Sequence, residues 1–235
     1  MGKYIVTDLT RFTNRERVCV AVIDMETGRC LRPKPYFKSE GVEKLNMQPG
    51  AILQGDITLR ADAKNPHTED ASHKNLKYVG AASGEEFKKY LTQTLSHSIA
   101  SGFGIQFGPE QKHVPVSLGK KVSRSIITIK IQPKRLGIYE NGYEPGKINA
   151  NFTDGAGHAF RYLSITDRGF FDFAQKHRKD NALRKVRDFI SVQEELYLRI
   201  GLGRIHKVSD GREGYWLQVN GIYTFPDFRA DIRSC

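Results

Sequence analysis

Cysteine is scarce in this chain. Cys19, Cys30 and Cys235 are an odd, scattered set among 235 residues, without CxxC spacing. That excludes a disulfide framework and a clustered-thiolate zinc site, and it fits free thiols in a reducing compartment. Cys19 lies in the apolar run 18–23, where it reads as a small buried hydrophobe. Long apolar runs are missing too: none approaches the roughly 18–20 residues of a membrane helix. The opening Met1-Gly2-Lys3-Tyr4-Ile5-Val6 enters a strand-like pattern without an apolar signal core. Val6 stands where the myristoylation pattern needs Ser or Thr. The expectation is a cytoplasmic protein with no membrane partner. Catalytic signatures are also sparse. No GxGxxG follows a strand, no Gly-x-Ser-x-Gly elbow occurs, and no HExxH is present. No cofactor is expected.

An acidic surplus is likewise missing, and here the sequence turns informative. Lys and Arg number 37 against 26 Asp and Glu, a net charge of +11 and a sequence pI near 9.6. Both halves are basic, the second more so. Such a field attracts polyanions, nucleic acid first among them in a cytosol. A merely soluble basic surface is the alternative.

Hydrophobic residues make up 39% of the chain, enough for a packed core. Period-two apolar patterns predict strands over residues 3–9, 18–24, 29–33 and 51–59, with a turn at Met25-Glu26-Thr27-Gly28. Residues 61–75 read as a polar loop. Ser83 or Gly84 can cap a helix over 85–98, on the spacing of Phe87, Tyr90, Leu91 and Leu95. Residues 102–122 read as a loop. Further strands are expected over 125–131, 134–139, 160–166, 196–202 and 215–225, and a very basic helix over 173–190. The fold class is therefore mainly β with some α. Val6-Thr7-Asp8 and Ile165-Thr166-Asp167 form a weak internal echo. It fits two copies of a small barrel, 1–120 and 121–235, each of the five-strand, one-helix oligonucleotide-binding (OB) kind.

Several segments also resemble the bacterial dual OB-domain family. They are Tyr4-Ile5-Val6-Thr7-Asp8, the run from Val18 to Gly28, Leu31-Arg32-Pro33, Pro66-His67-Thr68-Glu69-Asp70 and Leu163-Ser164-Ile165-Thr166-Asp167. The most distinctive is the closing Trp216-Leu217-Gln218-Val219-Asn220-Gly221-Ile222-Tyr223-Thr224-Phe225-Pro226-Asp227. The resemblance implies two tandem OB barrels and a nucleic-acid role within a bacterial antiviral-defence or DNA-processing system. It brings no active site with it.

The leading candidate surface is the basic helical stretch carrying Arg178, Lys179, Arg184 and Lys185. Leu183, Val186, Phe189 and Ile190 can share its buried face and leave a cationic stripe for phosphates. A plain solvated face explains it equally well. Lys134, Arg135 and Arg161 lie on or beside strands, with Tyr162, Trp216 and Tyr223 as rings on which bases could stack. Phe170 and Phe173 are expected in the core. Arg11, Arg15 and Arg17 cluster in a hairpin loop; with Arg32 they suggest a second cationic edge. The enzymatic alternative rests on His67, Glu69, Asp70 and His73, whose side chains could hold a divalent metal for phosphodiester hydrolysis. Local capping explains that loop equally well. Asp8, Asp24 and Asp167 are expected to anchor turns.

The expected function is non-catalytic binding of DNA or RNA, single-stranded by preference. The rival readings are a metal-dependent nuclease or nucleotide-processing enzyme, and a protein adaptor for a helicase or nuclease.

Overall fold

In the computed structural model, which describes residues 1–12, 16–142, 144, 146–176 and 182–228, two sheets divide the chain. The first contains β1 (Gly2–Arg11), β2 (Arg17–Asp24), β3 (Cys30–Lys34) and β4 (Phe37–Lys38). After α1 (Ser39–Lys44) come β5 (Ala51–Leu59) and β6 (Asp70–Ala81). Around the barrel the order is β1, β2, β3, β6, β5 and back to β1. Only the β3–β6 seam is parallel. β4 pairs with β2, and α1 adds Val42 to the core.

Residues between the barrels are structured rather than a loose linker. α2 (Gly84–Gln93) starts at Ser83, whose hydroxyl accepts the Glu86 N–H at 3.1 Å. Then follow β7 (Leu95–Ser96), α3 (Ile99–Phe103), β8 (His113–Pro115) and α4 (Val116–Gly119). β7 pairs with the strand over 126–131 and β8 with the last strand of the chain. Residues 95–96 and 113–115, expected with the first half, thus pair into the second sheet.

The second barrel repeats the first in topology. Its strands are β9 (Ile126–Ile131), β10 (Gly137–Glu140), β11 (Ile148–Thr153), β12 (Ala159–Ile165), β13 (Glu195–Lys207) and β14 (Glu213–Phe225). The 3-10 turn Pro133–Arg135 splits the first strand, so β9 pairs with β13 while β10 pairs with β11. β12 and β14 form the parallel seam, as β3 and β6 do. Two helices, α5 (Arg168–Lys176) and α6 (Ala182–Ser191), fill the place of α1. They bury Phe170, Phe171, Ala174, Val186 and Ile190 in the second core. Both halves are OB-like, and the mainly β class holds.

Some elements differ from expectation. β6 begins at Asp70 inside the supposed loop, and β11 was not expected at all. The echo tripeptides are not equivalent: Val6-Thr7-Asp8 lies in the first strand of its barrel, Ile165-Thr166-Asp167 at the end of the third. They meet instead. The Arg11 N–H donates to the Thr166 carbonyl at 2.9 Å, and Thr10 bridges to Asp167.

A third apolar cluster joins the barrels. Ile5 and Ile23 from the first, Phe87, Tyr90 and Leu91 from α2, and Tyr197, Tyr223 and Phe225 from the second pack together. β1 can serve both sides because its period-two faces differ. Tyr4 and Val6 fill their own barrel while Ile5 enters the joint. A bulge between Val6 and Asp8 then re-phases the strand. Leu9 rejoins the core, and Asp8 meets Arg199 of β13, 0% exposed. No helix among the described residues is long and apolar enough to cross a membrane.

Candidate nucleic-acid interface

Outward-facing residues of the second barrel floor a groove of about 780 Å³. Ser164 of β12, Trp216 and Gln218 of β14, and Gly203, Arg204 and His206 of β13 line it. Gly203 adds no side chain to this floor. The rims are the β10–β11 loop, with Glu144, Gly146 and Lys147, and α5, with Phe171 and Gln175. Arg11 of the first barrel closes one end, its guanidinium 3.5 Å from the centre of the Phe171 ring. A cation over a ring face is attracted to its negative quadrupole.

Arg11 and Gln175 also line a second hollow of about 580 Å³. Arg17, Arg168, Asp172 and Lys176 complete its charged lining. The two hollows thus adjoin across Arg11 and Gln175, and the pair of them runs as a channel from one barrel to the other. Along it stand six cations (Arg11, Arg17, Lys147, Arg168, Lys176, Arg204) and two carboxylates (Glu144, Asp172). Arg168 faces Glu43 at 3.5 Å and Asp172 at 3.6 Å, yet its Nη1 is buried with no acceptor among the described residues.

Aromatic rings border the channel. Trp216 is half-buried, stacked on His113 at 4.8 Å, and held by its indole N–H donating to the His206 carbonyl at 2.9 Å. Tyr162 is 56% exposed and its φ is +60°. The cause is local: Arg161 and Tyr162 together face Asn151 across a register shift, and Asn151 Oδ1 accepts both the Tyr162 N–H at 2.7 Å and the Tyr139 hydroxyl at 2.9 Å. The bulge turns the Arg161 and Tyr162 side chains to solvent. Lys112 lies 5.6 Å from the Tyr162 ring. Burial first, then repulsion from Arg212 and Lys147, pushes that ammonium below its ordinary value. The face therefore carries positive charge that a polyanion would relieve.

The expected site residues divide. Arg11 and Trp216 line the channel; Arg161 and Tyr162 are exposed on β12, three and two residues before the lining residue Ser164. Lys134 and Arg135 are exposed on the turn between β9 and β10, and Arg184 and Lys185 on α6, all outside the channel lining. Arg15, Arg178 and Lys179 lie outside the described residues. Two expectations need correction. Tyr223 is fully buried, its hydroxyl donating to the Thr7 carbonyl across the joint, so its ring is not a stacking platform. Arg32 is 4% exposed and ion-paired with Asp70 at 2.7 Å. It belongs to the joint, not to a cationic edge. Lys147 and Arg204 were missed, and Arg17, expected on a separate hairpin edge, joins them with Arg168 and Lys176 only because packing of the two barrels brings them together.

The proposed metal loop is a clasp between the barrels. Glu69 accepts the Ser125 and Ile126 N–H groups at 2.6 and 3.2 Å and the Ser125 hydroxyl at 3.0 Å. Asp70 pairs with Arg32 and, at 2.8 Å, with Arg204. His67 contacts the Leu202 carbonyl at 3.3 Å, while His73 stacks on Phe37 instead. Burial, then the Arg32 and Arg204 charges, pushes His67 down to about 3. No group of three or more metal-binding side chains converges among the described residues. Asp24 anchors its turn, accepting the Glu26 and Thr27 N–H groups, and Asp167 caps α5 through Phe170. Asp8 does not anchor a turn; it pairs with Arg199.

No curated protein matches the chain. The family described as the dual OB-containing domain matches residues 6–222, nearly the whole length and both barrels. With the repeated strand order already established, this chain belongs to the dual OB-containing domain family.

Proposed function

We propose that the protein binds single-stranded nucleic acid along the channel between its two OB-like units. The observation that carries this reading is six cations lining two adjoining hollows with the half-buried Trp216 among them. OB barrels bind strands by stacking bases on aromatic rings while Lys and Arg track the backbone. Trp216 and Tyr162 supply the rings. Lys147, Arg204, Arg11, Arg17, Arg168 and Lys176 supply the backbone track. Among the described residues the buried Arg168 Nη1 has no acceptor, which is costly, and a backbone phosphate would supply one. Rings that bases can stack on suit unpaired bases better than a duplex, whose bases are stacked on one another.

The reading is binding rather than cleavage, because His67, Glu69 and Asp70 are committed to holding the barrels together. Low-salt fluorescence anisotropy with labelled single strands and duplexes of one sequence tests it. Single strands are expected to bind with micromolar or tighter affinity and to outcompete duplex. Equal or better duplex binding would overturn the single-strand assignment; no binding of either would overturn the nucleic-acid role. Recovery of a helicase or nuclease by the protein, without nucleic-acid binding, would favour an adaptor.

A further inference from the structure

The two hollows of the channel differ in what they can hold. The groove on the second barrel offers the Trp216 and Phe171 rings together with polar side chains. The hollow of about 580 Å³ beyond Arg11 and Gln175 has no ring among its described lining residues. There Val18 is the one apolar side chain and Asp172 the one carboxylate, against four cations: Arg11, Arg17, Arg168 and Lys176. Packing holds two of these cations in place. The Arg11 guanidinium lies 3.5 Å from the centre of the Phe171 ring. Arg168, its side chain 13% exposed, reaches Glu43 and Asp172 at 3.5 and 3.6 Å. Those contacts are longer than the roughly 2.7–2.9 Å of a good charge-assisted hydrogen bond, so they use the guanidinium weakly. Arg17 and Lys176 are exposed, and neither has an ion-pair partner among the described residues. Like charges gathered around one hollow repel, and an anion inside relieves that repulsion.

We infer that this ringless hollow receives the terminal phosphate of a bound single strand, a phosphomonoester. This rests on the nucleic-acid reading above. A strand running on through the hollow would bring a base with it, and no aromatic ring among the lining residues could stack on that base. A strand that ends there has only a phosphate to place. The charge fits as well. A backbone phosphodiester carries one negative charge. A phosphomonoester carries about −1.5 to −2 near pH 7 and offers three acceptor oxygens, which suits four cations set against one carboxylate. Arginine forks can each take two of those oxygens, and Lys176 adds a point charge. Arg11 and Gln175 line both hollows, so a terminal phosphate in one leaves the adjoining nucleotides in the groove that carries the rings.

The test is fluorescence anisotropy with the full chain and one internally labelled single strand in three forms: 5′-phosphate, 3′-phosphate, and hydroxyl at both ends. One phosphorylated form is expected to bind about tenfold tighter than the hydroxyl form, and which one it is gives the direction of the strand along the channel. Arg17→Gln/Lys176→Gln, at two exposed positions, should erase that difference and keep the wild-type melting temperature. Asp172→Asn, which removes the one carboxylate, should widen the difference. Equal binding of all three forms by the wild type puts an internal phosphodiester in the hollow and overturns the inference. Equal gains from both terminal phosphates report unspecific charge and overturn it too. So does a difference that survives in Arg17→Gln/Lys176→Gln, or one that fails to widen in Asp172→Asn. In each of these cases the strand still binds and the proposed function stands. If none of the three forms binds, the proposed function itself fails.

Discussion

Arg199 of β13 and Asp8 of β1 form an ion pair across the two barrels, with both side chains essentially out of water and a closest approach of 2.8 Å. The guanidinium is fully used. Nε and Nη2 reach the Asp8 carboxylate, Nη2 also meets Thr7 Oγ1 and Cys30 Sγ, and Nη1 donates to Thr94 and Thr128. Burial alone would lower its proton affinity, but the adjacent Asp8 charge holds it above the ordinary value. The pair fixes how the barrels meet, and so fixes the channel that needs residues from both.

Removing one member of this pair strands a buried charge. Arg199→Met is expected to cost about 3–5 kcal/mol in urea unfolding. The double variant Asp8→Leu/Arg199→Met should recover much of that loss, because an apolar pair avoids the desolvation penalty. Equal destabilisation in the single and double variants would contradict this.

Acid should loosen the clasp. An unfolded His67 takes up a proton near pH 6.5. In the fold it is pushed down to about 3, by burial and then by Arg32 and Arg204. Between these values the unfolded chain holds the extra proton, so stability falls as pH drops from about 6.5 toward 3. Asp70 adds to the same trend lower down. Burial would raise its carboxyl, but Arg32 and Arg204 outweigh that and hold it below the usual range. Its contribution is full above about pH 4 and is lost as pH falls through the lowered folded value. Melting curves at pH 7, 5.5 and 4 should show this decline, and His67→Gln should flatten it.

Tyr162 separates binding from stability. Its ring is exposed and its backbone sits where glycine is favoured, at roughly 1–2 kcal/mol for other residues. Tyr162→Gly is expected to leave the melting temperature unchanged or higher. Loss of one stacking ring should weaken single-strand binding by ~1–3 kcal/mol. A large drop in stability with unchanged affinity would contradict the assignment.

Cys19 and Cys30 should be unreactive in the fold. Burial pushes both thiols up to about 11, so little thiolate exists at neutral pH. Labelling with a maleimide at pH 7.5 should be slow natively and fast in denaturant. Rapid native labelling of either would contradict the raised thiol values.

Much of the fold was legible from residue pattern. Strands rich in β-branched residues, the Ser83 cap and the apolar stripe of α6 follow local rules. β11 did not, because Asn149, Asn151 and Thr153 occupy its outer positions and asparagine is depleted in strands. Tyr223 and Arg32 misled for the opposite reason. Their types suit a surface, but the joint between barrels buries them: Tyr223 of the second barrel reaches the Thr7 carbonyl of the first, and Arg32 of the first reaches Ser125 just before β9. The channel was invisible for the same reason: Arg11 and Arg168 are far apart in sequence and meet only through docking.

The salt dependence of single-strand binding tests the central claim most directly. For the wild type, log Kobs should fall linearly with log salt, with a slope of about −0.7 per phosphate contacted. The triple variant Arg17→Ala/Lys147→Ala/Lys176→Ala should weaken binding and make the slope shallower by up to about 2. Arg184→Ala/Lys185→Ala, on α6 outside the channel, should leave both unchanged. A slope unaffected by the channel variant but lost with the α6 variant would contradict the account.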